Sequence, residues 1–238
     1  MTTKFGFLSR LEFLQDWASW LIAGINPAVE HNLAKYRALK KVHYLSAVEK
    51  VEGDYLEFGV FTGSSFCHSI RCCRKMDYLN AETGRTRFFG FDSFSGFGAL
   101  SENDNHPFYH DENFATSFDR VNRRVERVAK GVAYKLVPGF FSESLKAGPA
   151  HYGIERSRVV FIDSDTYSSA REALAFCLPT IQQGTFVILD DYFSYLGSEE
   201  RGVAGAFAEF VKDAQIKVRH VFAYGMGGAV YIVSGKAA

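Results

Sequence analysis

The chain has no net charge: Lys+Arg and Asp+Glu number 27 each in 238 residues. That balance gives no electrostatic reason to expect a nucleic acid or an anionic membrane as partner. Cysteine is scarce, with Cys67, Cys72, Cys73 and Cys177 the only four. They form no C-x-x-C pair and no metal-type spacing with histidine. Adjacent Cys72 and Cys73 in a helical segment cannot bridge comfortably, so reduced, mostly buried thiols in a cytoplasmic protein are expected. Long apolar runs are missing too. The stretch from Phe5 to Ile25 comes nearest, but Arg10, Glu12 and Asp16 interrupt it. The expectation is an amphipathic helix and neither a secretory leader nor a membrane span. Repeats and low-complexity segments are absent. The length suits one large α/β domain and does not demand two.

Aromatic residues, by contrast, are plentiful at 16%, with 23 Phe. Core packing absorbs most of them, and the surplus suggests a lined pocket or an interface. The most informative stretch runs from Val159 to Tyr192. Two short apolar runs, Val159–Ile162 and Thr185–Leu189, flank an Ala/Leu-rich segment of helical length, the pattern of a strand, helix, strand unit with buried parallel strands. Their C-terminal ends carry Asp163 with Asp165 and Asp190 with Asp191, at the sheet edge where open α/β folds bind ligands. At about 4 Å and an effective dielectric near 20, each like-charge pair costs roughly 4 kcal/mol. Such a cluster needs protons or a cation, and a hard divalent ion with oxygen ligands suits it. Asp165 or Asp191 alone would more simply cap a helix or face solvent; two pairs at the ends of adjacent strands favour the functional reading.

Around that unit the chain reads as follows. Leu8, Leu11, Leu14, Trp17 and Leu21 recur at helical spacing, a stripe to be buried against the domain or a second subunit. Asn26-Pro27 ends that helix and starts another, running to about Val51 with Leu33, Tyr36, Val42 or Leu45 inward. Its basic residues Lys35, Arg37, Lys40 and Lys41 read as a solvated face. Residues 1–51 are thus expected to form a helical extension, serving as lid, dimer contact or brace, and 52–238 the main domain. Next comes a strand ending at Glu57, with Gly59 and Gly63 in a turn that lets the backbone approach a ligand. A carboxylate before the first glycine suits an ammonium or sulfonium ligand better than a pyrophosphate. Asp92 closes the second strand, where such folds grip ribose hydroxyls. The polar and aromatic segment from Ser95 to Ala115, with His106 and His110, reads as a mobile lid. A helix from about Phe118 and a strand to Val137 precede Phe140 and Phe141, which either stack on an adenine or fill core. The helix after Asp165 should be capped by Ser168 or Ser169 and stop near Pro179 and Gly184. A final pair of strands joined by Tyr224–Gly228 forms a hairpin.

Five motifs in this order resemble the class I S-adenosylmethionine-dependent methyltransferases, and within them the macrocin O-methyltransferase family, which methylates sugar hydroxyls of antibiotics. They are Gly53–Gly63, Phe91-Asp92-Ser93-Phe94, Gly139–Leu145, Ile162–Tyr167 and Gly184–Tyr192. The resemblance implies an α/β, Rossmann-like fold with a mostly parallel seven-stranded sheet and an antiparallel C-terminal hairpin. It implies that Glu57, Gly59 and Gly63 hold the methionine part of the cofactor and Asp92 the ribose. Thr62, Ser64, Ser93, Phe141, Ser142 and Asp163 complete the expected cofactor contacts. Asp163, Asp190 and Asp191 would bind Mg²⁺, and Asp165 is the candidate base, with His106, His110 and Tyr167 next in line.

The expected chemistry is in-line transfer of a sulfonium methyl to a hydroxyl of a small-molecule sugar or polyol, by a chain that forms a homodimer. A catechol-like or other natural-product hydroxyl is the alternative acceptor. A non-catalytic protein keeping only the cofactor fold is a further reading, and retention of every aspartate argues against it. Glu57 argues against an NAD(P)-dependent dehydrogenase.

Overall fold

Seven strands form one sheet in the order β3-β2-β1-β4-β5-β7-β6. They are β1 (Asp54–Phe58), β2 (Phe88–Asp92), β3 (Tyr134–Pro138), β4 (Ser157–Ile162), β5 (Ile181–Leu189), β6 (Ile216–Tyr224) and β7 (Gly228–Lys236). The first five pair in parallel, and β7 runs antiparallel to both β5 and β6. The computed structural model describes residues 10–76, 78–79, 85–98, 100–109 and 114–236. Helices in chain order are α1 (Glu12–Ala23), α2 (Pro27–Val48), α3 (Ser64–Met76), α4 (Phe118–Ala129), the single turn α5 (Phe141–Ser144), α6 (Tyr167–Cys177) and α7 (Gly202–Asp213).

The central strands are continuous apolar runs because both faces are covered, and the two-residue period sorts their side chains between two cores. Leu56, Phe58, Val160, Ile162, Val187 and Leu189 pack with α6 and α7. Tyr55, Val159, Phe161, Phe186 and Ile188 pack with α2, α3 and α4. This parity carries into the site, since it decides which face each strand-end carboxylate meets.

Several local expectations change in three dimensions. The stripe expected on α1 is not buried among the described residues: no residue of the helix is buried, with Phe13, Trp17 and Trp20 each more than three-fifths exposed; Leu8 lies outside the described residues. Asn26 does cap α2, accepting from Ala28 N at 2.9 Å, but the helix ends at Val48. Its buried stripe is Lys35, Ala38, Leu39, Val42, His43, Ser46 and Ala47, while Leu33 is exposed. Lys35 therefore departs from the solvated face that Arg37, Lys40 and Lys41 do occupy. Thr166, in place of Ser168 or Ser169, caps α6. That helix ends at Cys177, and β5 already begins at Ile181 after a 3₁₀ turn. Gly184 thus sits within a strand, at a φ of +91° and against Val51.

Candidate active site

The chain order reverses between β1 and β4, so their C-terminal ends diverge into a crevice of the kind that receives ligands in open α/β sheets. A cavity of about 610 Å³ opens there, within the size range of small-molecule sites. One end is walled by the β1–α3 turn (Gly59, Thr62, Ser64), by Asp92 and Ser93, and by Phe140 and Phe141. The other end is walled by Asp163, Asp165, Asp190 and Asp191 together with His31 and Lys35 of α2. Of the expected cofactor contacts, three lie outside this wall. Ser142 borders a separate surface hollow. Gly63, at φ +75°, packs on Val121. Glu57 is buried beneath the floor, where Tyr55 Oη (2.5 Å) and Ser65 Oγ (2.6 Å) donate to its two oxygens. Burial raises its pKa to about 7 against the opposing pull of those hydrogen bonds.

Gly59 is required for a backbone reason. At φ +92° an added Cβ would fall 1.8 Å from the carbonyl oxygen of Asp163, so only glycine lets the ends of β1 and β4 approach this closely. Asp92 organises the same corner. Its Oδ2 accepts from Val60 N and Phe61 N at 2.7 Å each, and its Oδ1 accepts from Phe94 N at 2.6 Å. A carboxylate offers about four acceptor sites. Among the described residues this leaves one acceptor site on Oδ1 for the ribose hydroxyls expected from the sequence.

At the acidic end the strand register sets the chemistry. Ile162 pairs with Leu189, which brings Asp163 beside Asp190 on the face of α2. Lys35 lies between them, its Nζ 2.9 Å from Asp163 Oδ2 and 2.6 Å from Asp190 Oδ2. Burial works against the ammonium, but the two carboxylates outweigh it and hold its pKa well above the ordinary lysine value. Asp190 takes two further donors, Tyr224 Oη on Oδ1 at 2.5 Å and His31 Nε2 on Oδ2 at 3.0 Å. Met226 N donates to His31 Nδ1 at 3.1 Å, which leaves Nε2 to carry the hydrogen toward Asp190. Against the opposing effect of burial, Lys35 and then His31 lower the pKa of Asp190.

Asp191 has the opposite strand parity and joins Asp165 instead. Tyr109 Oη donates to Asp191 Oδ1 at 3.0 Å. Asp165 stands at φ +62°, a left-handed conformation that aspartate tolerates better than most residues. Burial and then Asp191 raise the pKa of Asp165; burial and then Asp190 raise that of Asp163, against Lys35. Oxygens of Asp163, Asp165 and Asp191 lie within 4.8 Å of one another. Between two of these residues, Ser164 Oγ is buried without a hydrogen-bond partner among the described residues. An all-oxygen donor set short of counter-charge, next to an orphaned hydroxyl, fits a hard divalent ion.

His31, Lys35, Tyr109 and Tyr224 are site residues that the sequence reading passed over. Tyr109 falls in the segment read as a lid. That segment is tied down at several points: Asp104 accepts from Ser168 N and Oγ (3.0 and 2.7 Å), Asn105 O accepts from Arg201, and Tyr109 reaches Asp191. His106 stacks on Tyr109 at 4.2 Å between ring centroids, Tyr167 pairs with Glu209, and His110 lies outside the described residues. For Lys35 a signal existed. His31, Lys35, Leu39, Val42 and Ser46 recur every three or four residues, so a cation sits in phase with the buried stripe.

Comparison with known proteins adds the family. A model of the macrocin O-methyltransferases (TylF) matches residues 22–221. The chain is 27% identical over 179 residues to the mycinamicin III 3''-O-methyltransferase of Micromonospora griseorubida, covering 70% of this chain and 66% of that one. Over 176 residues it is 28% identical to the 8-demethyl-8-(2,3-dimethoxy-alpha-L-rhamnosyl)-tetracenomycin-C 4'-O-methyltransferase of Streptomyces olivaceus, covering 70% and 64%. The chain thus spans 64–66% of the length of these curated relatives. Among solved structures, the O-methyltransferase NovP matches with a TM-score of 0.68 at 20% identity, over 84% of this chain and 79% of that one. An O-methyltransferase from Bacillus cereus in complex with SAH matches at 0.55 and 15%, over 83% and 80%. The architecture is that of the class I methyltransferases, with the sheet and antiparallel hairpin expected from the sequence. Because the family match runs from the end of α1 into β6 and takes in every strand-end carboxylate of the cavity, this chain belongs to the macrocin O-methyltransferase family.

Proposed function

We propose that the chain is an S-adenosylmethionine-dependent O-methyltransferase acting on a hydroxyl of a small-molecule sugar or polyol. The observation that carries this reading is the single cavity joining a glycine turn and Asp92 at one end to four aspartates at the other, in a member of this family. The rhamnosyl group in the name of the Streptomyces olivaceus relative supports a sugar acceptor.

The N-terminus of α3, with Thr62 and Ser64, would receive the carboxylate of the methionine part. One ribose hydroxyl would donate to Asp92 Oδ1, and Phe140 and Phe141 would flank the adenine. Glu57 acts from below, fixing Ser65 at the base of that turn. The acceptor would enter over Lys35 and the aspartates, with Phe61, Phe108 and Phe114 at the rim excluding water. Transfer forms a C–O bond as the C–S bond breaks, giving a thioether and a methyl ether, and the hydroxyl proton passes to a carboxylate of the cluster. Asp165 is the candidate for that role, unless it is taken up as an ion ligand. Mg²⁺, when bound to these carboxylates, would lower the pKa of the acceptor hydroxyl.

Two further parts of the reading concern the whole protein. The uncovered apolar surface of α1 supports a homodimer. Four buried free cysteines suit a reducing, cytoplasmic setting; no described helix is long and apolar enough to cross a membrane.

Calorimetric titration with S-adenosylhomocysteine, and separately with NAD, tests the cofactor. Only the former should bind, and Asp92→Ala should weaken it by about 1.5–3 kcal/mol through loss of a charged hydrogen bond and of the turn it braces. Absence of S-adenosylhomocysteine binding by the unaltered chain overturns the reading.

A further inference from the structure

We propose that Lys35 is a tethered cation that takes Asp190 out of the divalent-ion site, leaving Asp163, Asp165 and Asp191 to hold the ion. This rests on the metal-assisted reading above, and it changes the set of ligands from the one that the family resemblance implies. In that set Asp190 is a ligand and Asp165 is free to act as base.

Three observations carry the inference. First, Asp190 is already satisfied: Tyr224, His31 and Lys35 together donate to both of its oxygens. An ion ligated by Asp190 would have to displace a buried ammonium 2.6 Å away, or sit against it. Second, α2 is not a loose cover. Ala38, Leu39 and Val42 lock it into the core, Lys35 is itself only 8% exposed, and its Nζ stands 5.7 Å from the centroid of the Phe161 ring. The ammonium is therefore part of the packed interior and cannot swing into solvent without a cost in burial. Third, the two remaining carboxylates are on the other side of Asp163. Strand parity turns Asp191 away from α2, and the left-handed turn at Asp165 brings that side chain to it. Asp163 is shared, with Oδ2 held by Lys35 and lone pairs left over for an ion. Ser164, whose buried hydroxyl has no hydrogen-bond partner among the described residues, lines the same cavity.

A built-in positive charge beside an ion site lowers its affinity for the ion, and the consequence can be read without turnover. The experiment is direct titration of Mg²⁺, and of Mn²⁺ followed by electron paramagnetic resonance, into the full chain without cofactor. Lys35→Met should bind either ion at least about tenfold more tightly, since it removes a like charge from the ion's neighbourhood. Asp190→Asn removes a nearby negative charge but no ligand and should weaken binding by no more than about tenfold, whereas Asp165→Asn and Asp191→Asn should each weaken it by more than about thirtyfold. Lys35→Met leaves two buried carboxylates unpaired; the double variant Lys35→Met/Asp190→Asn removes one positive and one negative charge together and should bind the ion within about threefold of the unaltered chain, because the nearby charge is balanced and the trio is intact. The proposal is overturned if Lys35→Met binds the ion no better than the unaltered chain, or if the double variant loses the ion. It is equally overturned if Asp190→Asn loses the ion as badly as Asp165→Asn, or if no variant binds an ion at all. S-adenosylhomocysteine binding, measured on the same samples, separates this outcome from a failure of the methyltransferase reading.

Discussion

Glu57 sits at the meeting of β1 and α3 with no solvent contact, and its neutral form is the one that the fold favours. Its pKa is raised from 4.5 to about 7 by burial. Below pH 4 both folded and unfolded chains hold the proton, and the group is neutral in its effect on stability. As pH rises from 4.5 toward 7 the unfolded chain releases the proton first, so stability falls across that window by about 3 kcal/mol and then levels off. Glu57→Gln keeps the shape of the protonated acid and removes the titration. The expected result is that urea midpoints of the two proteins agree near pH 4.5 and that the variant becomes the more stable one by pH 7.5. A constant difference between them at all pH values would mean that Glu57 titrates in the folded chain as it does in the unfolded one. The sequence marked Glu57 as special from its place before a glycine. That it serves the turn from beneath, through Ser65, depends on the packing of α3 and was not legible in the strand itself.

At the scale of elements, α1 and α2 behave differently although both looked amphipathic. The stripe on α2 found a core, whereas α1 exposes Phe13, Trp17, Trp20 and Ile22. A twelve-residue helix with no packed face is marginal in water, so a partner surface should complete it. The helix carries Glu12 and Asp16 and no basic residue in its last turn, unlike the Lys- and Arg-rich helices that lie on anionic membranes. A second copy of the chain is the expected occupant, with the tryptophans as anchors. Trp17→Glu/Trp20→Glu should convert a dimer into a monomer, weakening association by about a hundredfold or more, and light scattering across a dilution series reads this directly. Unchanged mass in the double variant would remove α1 from the interface.

For the molecule as a whole, the cavity is closed from two sides by segments far apart in the chain: α2 through Lys35 and His31, and the segment holding Asp104 and Tyr109. Both rest on the aspartates or on the start of α6, so filling the cavity should stiffen them together. Hydrogen exchange at residues 100–109 and along the N-terminal half of α2 is expected to slow when S-adenosylhomocysteine and an acceptor sugar are bound together, and to slow less with either alone. Identical exchange in all states would make them a fixed frame.

The order of strands and helices, the glycine turn after β1, the cap at Asn26 and the aspartates at the ends of β4 and β5 were all readable along the chain. Each rests on local chemistry: two-residue periodicity, backbone freedom at glycine, a side chain that reaches its own helix end. The allocation of those aspartates was not readable. Asp163 and Asp190 meet Lys35 from 128 and 155 residues away, and Asp191 turns to Asp165, because strand parity and the seat of α2 decide which carboxylate faces which layer. A charge is stabilised or stripped by what surrounds it in space, and neighbours in space are set only when the sheet has chosen its order and register and the helices have settled on its faces.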